Sequence, residues 1–142
     1  MRNIDDQYNR IEKIIGSFEK PFEKAIEIYE EYLKKSLDLP CEITGIEDFN
    51  WEEVYVWGGG SQEEYKKLKK IQPSYEDKYE LISIDKDISS RWMICRYEIA
   101  AMAKRIFDGN KFYLALSEIE AIDKNSLNYQ LLNDYSVWLC NR

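Results

Sequence analysis

The chain has 142 residues, of which 44% are hydrophobic and 14% aromatic. This length and composition predict a single domain, residues 1–142, with its own hydrophobic core, and exclude a disordered chain. With 27 acidic and 20 basic residues, the net charge is −7. That charge argues against binding to nucleic acid or to an anionic membrane surface, and it suits a metal cation or a basic protein partner.

The first 38 residues are predicted to be helical. Apolar residues recur there at steps of three and four, a spacing typical of an amphipathic helix: Ile4, Tyr8, Ile11, Ile15 and Phe18. Gly16 and Pro21 interrupt this pattern. Pro21 suits the first turn of a second helix, for which Ser17 is a candidate cap. The second helix is expected to end before Pro40.

From Cys41 onward the chain is predicted to be mainly β-structure. Short aromatic and β-branched runs are typical of strands, and these runs are CEITGIEDF, WEEVYVW, KYELISI, ISSRWMICRYEIAAMAKRIF, FYLALSEIEAI and SVWLC. The segment SQEEYKKLKKI is predicted to be a short helix and SLNYQLLNDY a single helical turn. In DGNK, Gly109 favours a tight hairpin turn.

These elements predict an α+β fold. An N-terminal helical segment, residues 1–38, is followed over residues 41–142 by a small SH3-like β-barrel or a curled antiparallel sheet, with the helical insertion near residues 61–71. Short strands joined by tight turns suit either form, and the helical segment would cover one open end or face.

The run Gly58–Gly60 stands between a predicted strand and a predicted helix, which is the layout of a phosphate-binding loop. The loop is excluded because no Lys-Ser or Lys-Thr pair follows and the glycines are not spaced GxGxxG. Ser61 and Glu64 instead form the S-x-x-E pattern of a helix cap.

The stretch GIEDFNWEE concentrates the best candidate metal ligands, Glu47, Asp48, Glu52 and Glu53. In an extended strand, Asp48, Asn50 and Glu52 would face one side. Carboxylate and amide oxygens in a loose row are the ligands that Ca²⁺ prefers. The alternative is a solvated strand edge whose charges discourage edge pairing.

Two further acidic segments are weaker candidates. DKDISSRWMICR begins like an EF-hand loop, but it has Ser90 where glycine is required and Arg96 where glutamate is required. Asp85 and Asp87 are therefore expected mainly to form a turn. Asp134, between apolar residues, could reach the first strand as a ligand in a closed barrel, or it could bond backbone N–H groups at a turn.

The chain contains no histidine, which excludes Ser-His-Asp and Cys-His catalysis and zinc sites built on histidine. Cys41, Cys95 and Cys140 form no CxxC pair and are predicted to be buried free thiols. The charged N-terminus lacks the apolar stretch of a secretion signal, and no apolar run is long enough to span a membrane. A cytoplasmic location is therefore expected.

Three motifs stand near the two ends of the chain: a helix ending Y-L-x-x-x-L, a Leu-Pro pair before the first strand, and an aspartate–aromatic ending. Their residues are Tyr32, Leu33, Leu37, Leu39, Pro40, Asp134, Tyr135 and Trp138. In these motifs, and over roughly residues 25–57 and 112–140, the sequence resembles a bacterial family of small calcium-binding proteins first described in cyanobacteria. The resemblance implies an SH3-like barrel with an N-terminal helix, and Ca²⁺ bound by surface carboxylates without an EF-hand.

The favoured hypothesis is a non-enzymatic calcium-binding protein whose ligands come from Glu47, Asp48, Glu52, Glu53 and Asp134. The alternative is an acidic interaction module, of the immunity or anti-defence type, that blocks a basic partner. An enzyme with paired carboxylates, such as Glu52 and Asp134, is the third hypothesis. It is disfavoured because no nucleophile or cofactor motif accompanies them.

Overall fold

The computed structural model describes residues 4–95 and 97–141, so the first three residues of the predicted helical segment, Arg96 and Arg142 lie outside it. The helices are α1 Ile4–Ile15, α2 Phe22–Ser36, α3 Glu53–Val56, α4 Gln62–Leu68 and α5 Leu127–Cys140. The strands are β1 Cys41–Gly45, β2 Lys78–Asp85, β3 Ala100–Arg105, β4 Lys111–Ala115 and β5 Ile119–Ala121. Single 3₁₀ turns occupy Asn50–Glu52 and Leu116–Glu118.

The two N-terminal helices are confirmed. They separate where Gly16 adopts a positive φ of 90°, a conformation that residues with a side chain rarely adopt. Pro21 takes the cap position of α2, whereas the hydroxyl of Ser17 accepts a hydrogen bond from the Glu19 amide within the connecting loop. The Leu33 carbonyl accepts the amide of Leu37, which closes α2 before Pro40.

The five strands form one antiparallel sheet in the order β4-β3-β2-β1-β5. The curled antiparallel sheet is therefore confirmed, and the closed SH3-like barrel is wrong. Closure fails because β4 and β5 are opposite edges that do not pair, and because β5 has only three residues. The last predicted strand, SVWLC, is absent from the sheet since it belongs to α5.

Two predicted strands are helical in the structure. Ser126 caps α5 by accepting the Tyr129 amide at 3.1 Å, and Leu131, Tyr135 and Trp138 then recur on its buried face. Packing of that face overrides the strand preference of the aromatic residues. The segment WEEVYVW turns helical because the Glu52 carboxylate accepts the Phe49 amide and folds the chain back on itself.

The hairpin around Gly109 is confirmed, with a φ of 77° at that residue. The long strand predicted before it is shorter, because β3 begins only at Ala100. The described residues between 88 and 99 are irregular and cover the start of β3 through Met93.

The main core lies between one face of the sheet and the helices α1, α2 and α5, which also pack on one another. Fully buried members come from every layer: Ile11, Tyr29, Leu33, Ile43, Leu81, Leu114, Leu132 and Tyr135. The helix α4 with its predicted cap is confirmed, since the Ser61 hydroxyl accepts the Glu64 amide. Among the described helices, none combines the length and apolar character needed to cross a bilayer.

Candidate metal site in an acidic cleft

A cleft of about 300 Å³ opens between the end of β1, the 3₁₀ turn before β5 and the last turns of α5. Its lining is Ile46, Glu47, Asp48, Glu53, Ile94, Ser117, Glu118, Ser136 and Cys140. Four of these nine residues are acidic and none is basic. Three of the predicted ligands, Glu47, Asp48 and Glu53, thus lie around one cleft.

Backbone hydrogen bonds bring the walls of the cleft together. The Ile46 amide donates to the Glu118 carbonyl at 2.9 Å, which fixes the chain leaving β1 against the 3₁₀ turn. The Ser136 hydroxyl donates to the Ser117 carbonyl at 2.6 Å, which fixes α5 against the same turn. Ser136 and Cys140 are four residues apart and so present one side of α5 to the cleft.

The carboxyl of Glu118 sits among like charges. Its pKa is raised to about 7, chiefly by burial and then by the negative charges of Glu98 and Glu53. A cation placed in the cleft would offset this repulsion.

Glu98 is buried and contacts Ser117, which lines the cleft. Its carboxylate accepts the Ser117 amide at 2.9 Å and the Ser117 hydroxyl at 2.7 Å, and the Tyr135 hydroxyl lies 3.4 Å away. Burial raises the pKa of Glu98 to about 7, although these hydrogen bonds act in the opposite direction. Glu98 therefore adds negative potential without offering a free oxygen to the cleft.

The oxygen-rich lining of the cleft suits a hard divalent cation, because carboxylate and hydroxyl oxygens are ligands that Ca²⁺ accepts. The carboxylates nevertheless do not form a preassembled coordination sphere. Within residues 4–95 and 97–141, no group of three or more acidic or cysteine side chains lies close enough to hold a metal ion. Binding would therefore require exposed side chains such as Glu47 and Glu53 to move inward.

Glu52 lies apart from the cleft lining and is completely buried. One of its oxygens accepts the Tyr65 and Ser74 hydroxyls, at 2.9 and 2.5 Å. The other accepts the Phe49 and Tyr75 amides, both at 3.0 Å. Both oxygens are thus engaged by protein donors, and the carboxylate joins the 3₁₀ turn to α4 and to the loop before β2.

Asp134 also lies apart from the cleft lining. Residues two positions apart point to roughly opposite sides of a helix, so Asp134 faces α1 while Ser136 faces the cleft. The Asp134 carboxylate accepts Arg10 Nε at 2.9 Å and Arg10 Nη2 at 3.0 Å, and also Gln7 Nε2 at 2.9 Å. It accepts side-chain donors of α1 rather than the backbone N–H groups expected of a turn.

The remaining sequence candidates form local structure. Asp85 accepts the Asp87 amide at 2.8 Å, which is the expected turn. The three cysteines are free thiols, as predicted, but the prediction that they are buried is wrong: Cys41 and Cys95 are half-buried and Cys140 is exposed at the cleft. Cys140 is exposed because it is the last residue of α5. The sequence predicts a strand at this position.

Sequence reasoning missed Glu98, Ser117 and Glu118. Glu98 and Glu118 lie in segments predicted to be strands, where an acidic residue between apolar neighbours predicts only an outward-facing side chain. Glu98 and Glu118 come close together because the amide and hydroxyl of Ser117 donate hydrogen bonds to the Glu98 carboxylate. That contact is set by tertiary structure and has no local sequence signal.

No protein-family model and no curated protein matches this sequence. Two solved structures are similar to it over nearly the whole chain. Anabaena CcbP is 19% identical with a TM-score of 0.61, over 98% of this chain and 93% of that one. A calcium binding protein in its calcium-binding form is 20% identical with a TM-score of 0.58, over 99% of this chain and 97% of that one. The chain therefore has the fold of Anabaena CcbP, and the resemblance detected in the sequence is confirmed at the level of the fold.

Proposed function

We propose that this chain is a non-enzymatic calcium-binding protein that holds Ca²⁺ in the acidic cleft. The observation that carries the proposal is the convergence of four acidic side chains on one cleft whose described lining contains no basic residue. The likeness to a calcium binding protein in its calcium-binding form supports the choice of ion. Crowding among Glu53, Glu98 and Glu118 supports a cationic occupant, because a bound cation stabilises the charged forms of these groups.

The proposed ligands are Glu47, Asp48, Glu53 and Glu118. Glu47 and Glu53 are exposed and can change rotamer at little cost, and Glu118 is half-buried at the base. Glu52 and Asp134 are assigned structural roles in this proposal, because their oxygens already accept hydrogen bonds from protein donors.

Calorimetric titration with Ca²⁺ and a thermal melt with and without millimolar Ca²⁺ test the proposal. A ligand that binds only the folded state raises the melting temperature, so the midpoint should rise with Ca²⁺. E53Q and E118Q should each weaken Ca²⁺ binding at least tenfold. E12Q, which removes one charge from an exposed position on α1, is the matched control and should bind like the wild type. No binding heat together with an unchanged midpoint would refute the proposal.

An interaction module is a second candidate function because two exposed apolar residues follow Glu53 in the sequence. Trp57 is 84% exposed and Val54 is 52% exposed, and both follow the acidic Glu53 closely in sequence. Large exposed apolar side chains mark interaction surfaces. Capture of a basic partner that survives EDTA and is lost in W57A would favour this function over calcium binding.

A further inference from the structure

The outer face of the sheet, opposite the main core, carries a row of four charged residues in register across four strands. Lys111 on β4 pairs with Lys104 on β3, Lys104 pairs with Glu80 on β2, and Glu80 pairs with Glu42 on β1. We call this row the charge strip. It is positive on the β4 side and negative on the β1 side, and three of its members are exposed and Glu80 half-buried.

The order of charges in the strip is unfavourable within one chain. Two of its three neighbouring pairs have like charge, and like charges directly opposite one another destabilise a sheet. No salt bridge within 4.0 Å joins any of the four residues to another described residue, even between Glu80 and Lys104. The strip thus has uncompensated charge at both ends.

A second copy of the chain compensates both ends. Rotation by a half-turn about an axis parallel to the strands, passing between β2 and β3, exchanges the two halves of the strip. The lysine half of one copy then faces the glutamate half of the other, and the reverse holds at the other end. A two-fold axis is the usual symmetry of a homodimer, and its interface must be self-complementary. An axis in the plane of the face but perpendicular to the strands would place the lysines of one copy against the lysines of the other. The charges therefore favour the axis parallel to the strands.

We propose that the outer face of the sheet is a homodimer interface in which the charge strips of two copies lie antiparallel. The half-buried Met102 on β3 and Ile82 at the irregularity of β2 supply apolar contact beside the strip, whereas Tyr113 on β4 packs against the segment around Met93. This proposal is independent of the calcium cleft, because none of its residues lines the cleft.

The size of the face sets the strength of the dimer. Five strands about 4.8 Å apart and about five residues long give a face of roughly 20 by 17 Å, and the segment around Met93 covers its end at Ala100 and Ala115. A face this small corresponds to the weak, transient class of interface. Charge contacts at a small, solvated interface are screened by salt, so the dimer should form at high protein concentration and low ionic strength.

Sedimentation velocity tests the proposal on the full chain. At about 1 mM protein and about 20 mM NaCl the weight-average mass should rise above the monomer value of 17.0 kDa, and about 500 mM NaCl should return it to that value. K104E/K111E makes the strip wholly acidic and E42K/E80K makes it wholly basic. Each variant alone should dimerise at least tenfold more weakly than the wild type. An equimolar mixture of the two should associate again, because the strips are then complementary.

K66E/K67E is the matched control, since it makes the same change in charge at two exposed positions on α4. It should keep the wild-type association, and the far-ultraviolet spectrum of every variant should match that of the wild type. A wild-type chain that stays at 17.0 kDa under the low-salt condition overturns the proposal. So does association that survives both strip variants unchanged, or a mixture of the two that stays monomeric.

Discussion

The hydroxyl of Tyr65 on α4 donates a hydrogen bond of 2.9 Å to the fully buried carboxylate of Glu52. The same carboxylate accepts three other donors, so it connects the 3₁₀ turn Asn50–Glu52, α4 and the loop before β2. We predict that E52A lowers the free energy of unfolding by about 3 kcal/mol or more, because two amides and two hydroxyls lose their acceptor. Urea unfolding measures this loss.

E52Q is the control for shape. Its amide oxygen can accept the two backbone amides, and its NH₂ group can donate to the hydroxyls after they rotate. We expect E52Q to lose only about 1–2 kcal/mol. An E52A variant as stable as E52Q would show that the carboxylate contacts contribute little.

The fold class could be predicted from the sequence because the spacing of apolar residues and the residue types at turns depend on short stretches of the chain. The two N-terminal helices, the capped helix at Ser61 and the hairpin at Gly109 all depend on neighbours along the chain. The sequence predicted only a single helical turn at SLNYQLLNDY and a strand at SVWLC, where α5 spans Leu127–Cys140. The strand-favouring residues become helical only through packing against α1, α2 and the sheet.

The candidate site was predicted only in part, for the same reason. Glu47, Asp48 and Glu53 are close in sequence, and their cluster was visible. Glu118 reaches them because Ile46 bonds to its carbonyl across a large sequence separation. Glu52 and Asp134 look like surface ligands by composition, and only the structure places donors on their oxygens.

Arg10 and Asp134 are predicted to contribute unequally to stability. Asp134 is buried, whereas Arg10 is about one-third exposed and can be solvated when its partner is removed. R10M should therefore cost about 2–3 kcal/mol, since among the described side chains it leaves the buried carboxylate with Gln7 as its donor, and D134N should cost about 1–2 kcal/mol. Urea unfolding of both variants and the double variant gives the coupling between them.

D134N also tests whether Asp134 serves only in this ion pair or is a ligand of the proposed calcium site. Its Ca²⁺ affinity should equal that of the wild type once unfolding is excluded by circular dichroism. A tenfold loss of affinity in D134N would instead assign Asp134 to the ligand set.

Tyr29 and Tyr79 are predicted to respond oppositely to loss of their hydroxyls. Both are fully buried, but the Tyr79 hydroxyl donates to the Ser74 carbonyl at 2.7 Å, whereas the Tyr29 hydroxyl has no hydrogen-bond partner in the described chain. Y79F should lose about 1–2 kcal/mol of unfolding free energy, and Y29F should be neutral or up to about 1 kcal/mol more stable. Since each change removes one oxygen and keeps the ring, each variant is the control for the other. Equal losses would contradict the prediction.

Glu98 makes stability depend on pH. Burial raises its pKa from the ordinary value of 4.5 to about 7, so the folded state holds this proton more tightly than the unfolded state does. The folded state therefore binds more protons between about pH 4.5 and pH 7, and the contribution of Glu98 to stability falls as the pH rises through that window. Above this window the contribution is constant. Urea unfolding at several pH values should show a decline of about 3 kcal/mol from this group.

E98Q tests the source of the decline, because its amide is neutral at every pH and fills the same space. Its stability should change less between pH 4.5 and pH 7, for two reasons. The variant lacks the titrating group, and it removes a negative charge that raises the pKa of Glu118. E12Q, an exposed change of the same kind, should retain the wild-type decline. An E98Q profile parallel to that of the wild type would mean that Glu98 titrates near its ordinary pKa and does not cause the decline, which would contradict the prediction.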